Sequence, residues 1–360
     1  MTDTDVQRDE LVERLFMAGV TMGEVLTVYL GDVLGLYRAL SDEGPMTSAQ
    51  LAGATGIHER YAREWLEQQA AAGLLTVEDA SASAGDRRYA LPGGFAEPLL
   101  DPESPFSIAP FLKSFVAISG AMPQLLNAFR SGGPVPWGAY GQDMIEAQGD
   151  FNRPWLLGSF GTEYLSSVPD LHERLSRERA KVADVACGVG WAAISLAKAY
   201  PNITVDGFDL EEPSIALARA NADEAGVADR VRFTAGDAAD VAVEETYDLA
   251  TVVESIHDMS QPVAVMRSIR RMLKPGGTLI VADERTEDAF TAPASDTERM
   301  FYAYSVLCCL PSGLEDETSA GTGTVMRRST FERYAKEAGF EGVEVMPIEH
   351  DFLRFYRLDR

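Results

Sequence analysis

The stretch that most constrains this chain runs from Lys181 to Ala193, KVADVACGVGWAA. It opens on a short apolar run with the β-branched residues Val182 and Val185, the composition of a buried strand. The run breaks into Cys187-Gly188-Val189-Gly190, and a helical pattern follows with Ile194, Leu196 and Ala197 on one side. A strand, a glycine turn and a helix in this order aim backbone N–H groups and a helix N-terminus at one point in space. Glycine suits such a turn because it accepts positive φ and lets another molecule approach the backbone closely. The bland alternative is a strand–helix turn that holds nothing.

Two cofactors compete for this turn. Gly188-x-Gly190-x-x-Ala193 satisfies the loose dinucleotide pattern, a weak signal alone. Asp184-x-Ala186-x-Gly188-x-Gly190 resembles the acidic-x-Gly-x-Gly-x-Gly motif of S-adenosylmethionine (SAM) methyltransferases, with Ala186 in place of the first glycine. Asp184 favours SAM. A carboxylate at the strand end repels a pyrophosphate, whereas it can accept hydrogen bonds from the amino acid part of SAM, directly or through water. Ala186 is tolerated if its φ is negative, so altered packing is expected there rather than lost binding.

With 360 residues, 46 % of them apolar, the chain can form one large or two ordinary domains. Its net charge of −25 repels a phosphate backbone over most of the surface, which argues against nucleic acid as a partner. No apolar run is long enough for a membrane span, and the first residues are acidic and polar, so neither a membrane helix nor a signal peptide is expected. The 3 cysteines make no disulfide framework, which fits a reducing cytoplasm. No Cys/His spacing suggests a metal.

Residues 6–40 read as helices with a long apolar face, a face that more often packs on a partner subunit than stays exposed. Residues 34–95 have the layout of a winged helix-turn-helix: Thr47 caps one helix, Gly56 closes it, and Glu59 to Ala72 forms a second with Tyr61, Trp65 and Leu66 inward. Residues 1–90 hold 15 Asp and Glu against 7 Lys and Arg, and the second helix carries Glu59, Glu64 and Glu67. A groove-reading helix is basic, so this unit reads as a dimerisation and lid domain. Residues 96–165 form a helical linker. Within it Trp137, Tyr140, Met144, Asn152 and Trp155 suit the wall of a substrate pocket, or equally an ordinary interdomain core.

From Lys181 onward strands and helices alternate, the pattern of a parallel α/β sheet, in a domain expected over residues 166–360. Asp209 ends the second strand, where an acid accepts from two ribose hydroxyls in NAD and SAM sites alike. Gly236-Asp237-Ala238 follows the third strand, and Asp237 suits an adenine amino group. The fourth strand runs into Glu254-Ser255-Ile256-His257-Asp258, and Leu273-Lys274-Pro275-Gly276-Gly277 leads into the fifth. The long segment 283–328 reads as a lid insertion with its own helix, which bears Tyr304.

Taken together, the acidic glycine turn, Asp209, Gly236-Asp237 and the Pro-Gly-Gly entry resemble the class I SAM-dependent methyltransferases over residues 180–360. With the N-terminal winged helix, the layout is similar to plant-type and actinobacterial small-molecule O-methyltransferases. The resemblance implies a Rossmann-like seven-stranded sheet with an antiparallel last strand, SAM as cofactor and S-adenosylhomocysteine as product, and a cytoplasmic homodimer. It implies a cofactor set of Asp184, Ala186, Gly188, Gly190, Asp209, Leu210, Gly236, Asp237, Ala238 and Glu254. It implies that His257 is the general base toward a hydroxyl of an aromatic or secondary metabolite, a role that also follows from proton removal by an imidazole. Glu284 is read as the group that orients His257, and Arg285 as a contact for an acidic acceptor. The competing readings are a SAM-responsive transcriptional regulator and an N- or C-methyltransferase.

Overall fold

A computed structural model describes residues 2–177 and 179–360, which fall into two compact units, Met1–Val116 and Ala117–Arg360.

The first unit begins with α1 (Asp3–Val33), capped by a reciprocal pair of hydrogen bonds between Thr2 and Asp5. Only Val28 and Gly31 of this helix are buried, while Leu11, Val12, Leu15, Phe16 and Met17 are each more than half exposed. Helices α2 (Leu36–Glu43), α3 (Ser48–Thr55) and α4 (Glu59–Ala71) follow, then the wing strands β1 (Thr76–Val77) and β2 (Tyr89–Ala90), paired antiparallel. Thr47 caps α3 as expected, in a capping box completed by Gln50, and Gly56 closes the helix at φ 73°. The buried face of α4 is Ala62, Trp65, Leu66 and Gln69, so Tyr61, one residue off that stripe, is 77 % exposed rather than inward. The arginines of α4 are taken by its own acids: Arg63 bonds Glu59 at 2.7 Å and Arg60 pairs with Glu64. Helix α5 (Gly93–Leu100) and most of α6 (Ala109–Gly120) complete the unit.

The second unit starts with α7 (Met122–Ser131) and α8 (Gln142–Trp155), which passes directly into π-helical turns over Leu156–Tyr164, and then α9 (Pro169–Ser176). The sheet has the order β5-β4-β3-β6-β7-β9-β8. Its strands are β3 (Lys181–Val185), β4 (Thr204–Asp209), β5 (Val231–Ala235), β6 (Tyr247–Val253), β7 (Leu273–Glu284), β8 (Glu344–Val345) and β9 (Leu353–Asp359). The five strands β3 to β7 are mutually parallel, and β9 runs antiparallel to β7, as expected of the last strand. Crossovers are made by α10 (Trp191–Ala199), α11 (Glu212–Glu224) and α12 (Pro262–Met272). The insertion after β7 holds α13 (Asp296–Tyr304), π-helical turns over Ser305–Cys309 and α14 (Leu310–Gly313), and α15 (Arg328–Ala338) precedes β8. Strand β7 extends through Glu284, so Asp283 and Glu284 belong to the sheet and not to the insertion.

Val182, Ala183 and Val185 are fully buried because β3 is a central strand with helices on both faces. Strand order reverses at β3, between β4 and β6. The carboxyl ends of strands at such a reversal form a crevice.

Candidate active site

The glycine turn divides its work between two glycines. A Cβ on Gly190 would meet Phe233 at 2.6 Å and Ala218 at 3.1 Å, so this glycine, at φ 88°, lets β5 and α11 pack against the turn. A Cβ on Gly188, at φ 52°, would meet nothing within 4 Å, so its outer face is open to a ligand. Ala186 departs from expectation. Its φ is +55°, the left-handed region, so the methyl in the place of the motif's first glycine is strained and not accommodated by a negative φ. Glu254, just past β6, has φ +50°. Two non-glycine residues in this conformation thus stand at the ends of the neighbouring strands β3 and β6, and such strain clusters at functional sites.

Asp184 does not face the crevice. It is 1 % exposed, with one oxygen accepting from the Ala193 N–H at 3.1 Å and the other from the Thr251 hydroxyl at 2.8 Å. Burial pushes its carboxyl up to about 7, against the pull of those two bonds. It therefore shapes the turn from beneath, tying the start of α10 to β6, and the expected direct contact with the amino acid part of SAM is not its geometry. Asp209 accepts from the Gly188 N–H at 2.8 Å and the Glu211 N–H at 2.9 Å, which orients its carboxylate and leaves two lone-pair sites. Burial raises its carboxyl. Gly236 donates its N–H to Asp209 O at 2.8 Å, which draws the end of β5 to the end of β4. Asp237 is exposed and caps a short turn through the Ala239 N–H at 2.7 Å, with Ala238 buried beside it and Leu210 67 % exposed.

Across the crevice lies an acid–base cluster. His257 is 2 % exposed, and its Nδ1 lies 2.9 Å from Asp283 Oδ1 and 2.9 Å from Glu284 Oε2. Consecutive strand residues normally point to opposite faces, yet both carboxyls at the end of β7 reach one ring nitrogen. A single N–H serves one acceptor. It goes to Asp283 Oδ1, while Asp283 Oδ2 and Glu284 Oε2 are left without hydrogen-bond partners. Burial alone pushes His257 down, but the charges of Glu284 and Asp283 and the Asp283 bond override it and hold the imidazole well above its ordinary value. Burial drives the Glu284 carboxyl well up. Asp283 is held below its usual range by His257, against burial. Cys309, in the π-helical turns of the insertion, also pushes the same imidazole up. Asp258 is raised to about 8 by burial. The three ligand atoms of His257, Asp283 and Glu284 lie within 4.8 Å of one another, a span that a metal ion can bridge. No spacing of histidines and cysteines signals this trio, because the fold builds it from a strand end and a loop.

The pocket-wall residues scatter. Asn152 donates to Glu254, and Gln148, one turn earlier on α8, donates to the same oxygen at 2.9 Å. Trp155 donates to Asn152 at 2.9 Å, but its ring packs edge-on against His350, Phe160 and Phe355, away from His257. Tyr140 is buried and donates to Leu307 O at 2.8 Å, Trp137 stacks near it at 6.2 Å, and Met144 is 1 % exposed. Arg285 is exposed and reaches His350 O at 3.3 Å, so the structure does not bring it to the cluster. Tyr304 ends α13, half-buried, directly before the π-helical turns that carry Cys309.

Known proteins place this architecture. A methyltransferase-domain model matches residues 176–337, and a Rv2258c-like winged helix-turn-helix model matches residues 23–99. The ubiquinone biosynthesis O-methyltransferase of Pseudomonas savastanoi pv. phaseolicola is 30 % identical over 191 residues, 52 % of this chain and 76 % of that protein. The chain is a class I SAM-dependent methyltransferase with an N-terminal winged-helix domain. Its cofactor is SAM. Among solved structures it resembles the mitomycin 7-O-methyltransferase MmcR, with TM-score 0.69 and 22 % identity over 100 % of both chains. It also resembles human N-acetylserotonin methyltransferase in complex with SAM, with TM-score 0.69 and 16 % identity over 100 % of this chain and 99 % of that one. At these identities the likeness is one of fold. The crevice of the methyltransferase fits its cofactor on its own evidence: an open face over Gly188 and an oriented acid with spare lone pairs at Asp209.

Proposed function

We propose that the enzyme transfers the methyl group of SAM to a hydroxyl of a small aromatic or secondary metabolite, with His257 as general base. The observation that carries this reading is the 2.9 Å contact between His257 Nδ1 and Asp283 Oδ1. With the ring proton on Nδ1, toward Asp283, the basic nitrogen for the acceptor is Nε2. SAM supplies an electrophilic methyl on a sulfonium. Displacement at such a methyl is in line, so the protein's main task is to hold the acceptor in position. His257 then takes the acceptor's proton, and Asp283 and Glu284 stabilise the imidazolium that results. Gly188, Gly190, Asp209, Leu210, Gly236, Asp237, Ala238 and Glu254 line or shape the cofactor's place, with Asp184 and Ala186 beneath it.

The burial of His257 supports a second reading, N- or C-transfer, in which the imidazole is a structural prop and no base is needed. Purified protein incubated with methyl-tritiated SAM and a panel of phenols, hydroxyquinones and amines separates the two. Label in a methyl ether supports the first reading; label confined to methylamines or methyl carbons overturns it.

The apolar face of α1 supports assembly as a homodimer through the N-terminal unit. Light scattering after gel filtration is expected to give twice the chain mass, and Phe16→Glu with Leu15→Glu is expected to yield monomer. The pairing of Arg60 and Arg63 with acids of α4 speaks against DNA recognition by the winged helix. No helix among the described residues is long and apolar enough to cross a membrane, and the free thiols suit a cytoplasmic enzyme.

A further inference from the structure

The proton on His257 Nδ1 serves one of two carboxylates crowded against it, and the other is left over. Nδ1 lies 2.9 Å from Asp283 Oδ1 and 2.9 Å from Glu284 Oε2, with the hydrogen bond going to Asp283. The Glu284 N–H donates to the same Asp283 Oδ1 at 3.0 Å, which fixes that carboxylate through one oxygen. Asp283 is 1 % exposed, and its Oδ2 has no hydrogen-bond partner; Glu284 Oε2 has none either. Among the described residues no Lys or Arg pairs with either acid. Glu254 and Asp258, both half-buried, interact electrostatically with the same imidazole. Four acids thus act on one ring, and buried carboxylates without a cation are costly. The general-base role needs only the Asp283 bond. The surplus acceptors form the donor set of a metal ion: the ligand atoms of His257, Asp283 and Glu284 all lie within 4.8 Å of one another. Nitrogen and oxygen atoms about 2.1 Å from an ion stand about 3–3.5 Å apart. The spacings here, from 2.9 Å up to that bound, bracket this separation. One imidazole with two carboxylates suits a divalent transition metal, and a dication offsets the two carboxylate charges.

We propose that His257 Nδ1, Asp283 and Glu284 form a binding site for a divalent transition-metal ion such as zinc, and that the bound ion stops methyl transfer to a hydroxyl. The second half rests on the reading of His257 as general base. Coordination needs the lone pair of Nδ1. The Nδ1 proton passes to solvent, the hydrogen bond to Asp283 breaks and an Nδ1–metal bond forms. Nε2 takes up a proton from solvent, so the ring stays neutral. The bond made at one ring nitrogen thus decides the state of the other. Nε2, now carrying a proton, has no lone pair for the acceptor. The ion locks the imidazole in the tautomer that cannot act as a base, and it leaves Gly188 and Asp209, on the cofactor side, untouched.

The test is titration of the chelator-stripped full chain with zinc by calorimetry, and with cobalt followed by its visible absorption. One equivalent is expected to bind. Asp283→Asn and Glu284→Gln are each expected to weaken binding by about tenfold or more, with the fold checked by circular dichroism. Wild-type protein supplies a readout that needs no variant: in ¹⁵N NMR, zinc is expected to move the His257 ring proton from Nδ1 to Nε2. Zinc is also expected to cut methylation of the hydroxyl acceptor found with labelled SAM by about 10²-fold or more, with S-adenosylhomocysteine affinity unchanged. A wild-type chain that takes up no zinc overturns the proposal. So does binding that leaves the His257 ring nitrogens unmoved, or that both variants retain in full. Zinc seated on His257 with turnover unchanged overturns the inhibition and counts against His257 as the base, a failure distinct from the absence of the site.

Discussion

The two walls of the crevice were built differently, and the difference governs how each can be read and broken. The wall at β3 is one contiguous stretch, Asp184 to Gly190, whose contacts are mostly backbone: the Gly188 N–H on Asp209, the Ala193 N–H on Asp184. The wall at β6 and β7 is assembled from side chains far apart in the chain: His257 with Asp283, Glu254 with Gln148 and Asn152, and Cys309 from the insertion. The first wall depends on conformation and space, the second on charge. Substitutions at the first should act on cofactor affinity, and those at His257 and Asp283 of the second on proton transfer.

The largest expected effect is at the second wall. His257→Ala should cut methyl transfer by about 10²- to 10⁴-fold, the contribution of a positioned general base. Its affinity for S-adenosylhomocysteine should stay close to wild type. Near-normal turnover would erase the contrast and favour transfer to nitrogen or carbon. Next comes Gly188→Val. It forces a branched side chain to φ +52° and fills the open face, so S-adenosylhomocysteine affinity measured by calorimetry should fall by about tenfold or more, with the chain still folded by circular dichroism. Unchanged affinity would mean that the open face of the turn is not the cofactor's.

A subtler effect is expected at Asp283→Asn. The base works only when neutral, so activity is present above the imidazole's folded pKa and lost as pH falls through it. Asp283 and Glu284 hold that pKa above the ordinary value, so the wild-type rate should rise with pH above the usual histidine range. Removing the Asp283 charge lowers the pKa and moves the rise to lower pH, with a smaller plateau because the ring is less well oriented. A profile that does not move would show that Asp283 is not electrostatically linked to the base. The smallest effect is at Ala186→Gly. Relief of a left-handed non-glycine residue is worth about 1 kcal/mol, which raises the Tm of a unit the size of Ala117–Arg360 by roughly 2–4 °C. A fall in Tm would show that the Ala186 methyl gains more from packing than its φ costs.

The same contrast explains what was legible in the sequence. The strand–turn–helix of β3, the acids at the ends of β4 and β5 and the winged helix with its Thr47 cap follow from local spacing and turn chemistry, and the antiparallel β9 from the family resemblance. Ala186 misled because its φ is set by the turn around it, and an isolated alanine in the glycine's place gives no sign of that. Asp184 was read as facing the ligand because strand ends usually do, but Thr251 of the neighbouring strand claims one of its oxygens. Asp283 was passed over because the insertion was read as starting at residue 283, whereas β7 runs on through Glu284. The grip of Gln148 and Asn152 on Glu254 has a faint signature, two amides four residues apart on one helical face, without anything in the sequence to name their target. Arg285 and Trp155 were grouped with the pocket by proximity in the chain, and tertiary packing sends both toward His350.

The central claim, that His257 is a base whose Nδ1 proton is held by Asp283, can be tested without knowing the acceptor. In ¹⁵N NMR of the full-length protein, with the resonance assigned through His257→Gln, the account predicts a neutral ring protonated at Nδ1 that titrates above the ordinary value of about 6.5, and that shifts down in Asp283→Asn. A ring that titrates below that value, or whose neutral form carries its proton on Nε2, would contradict it.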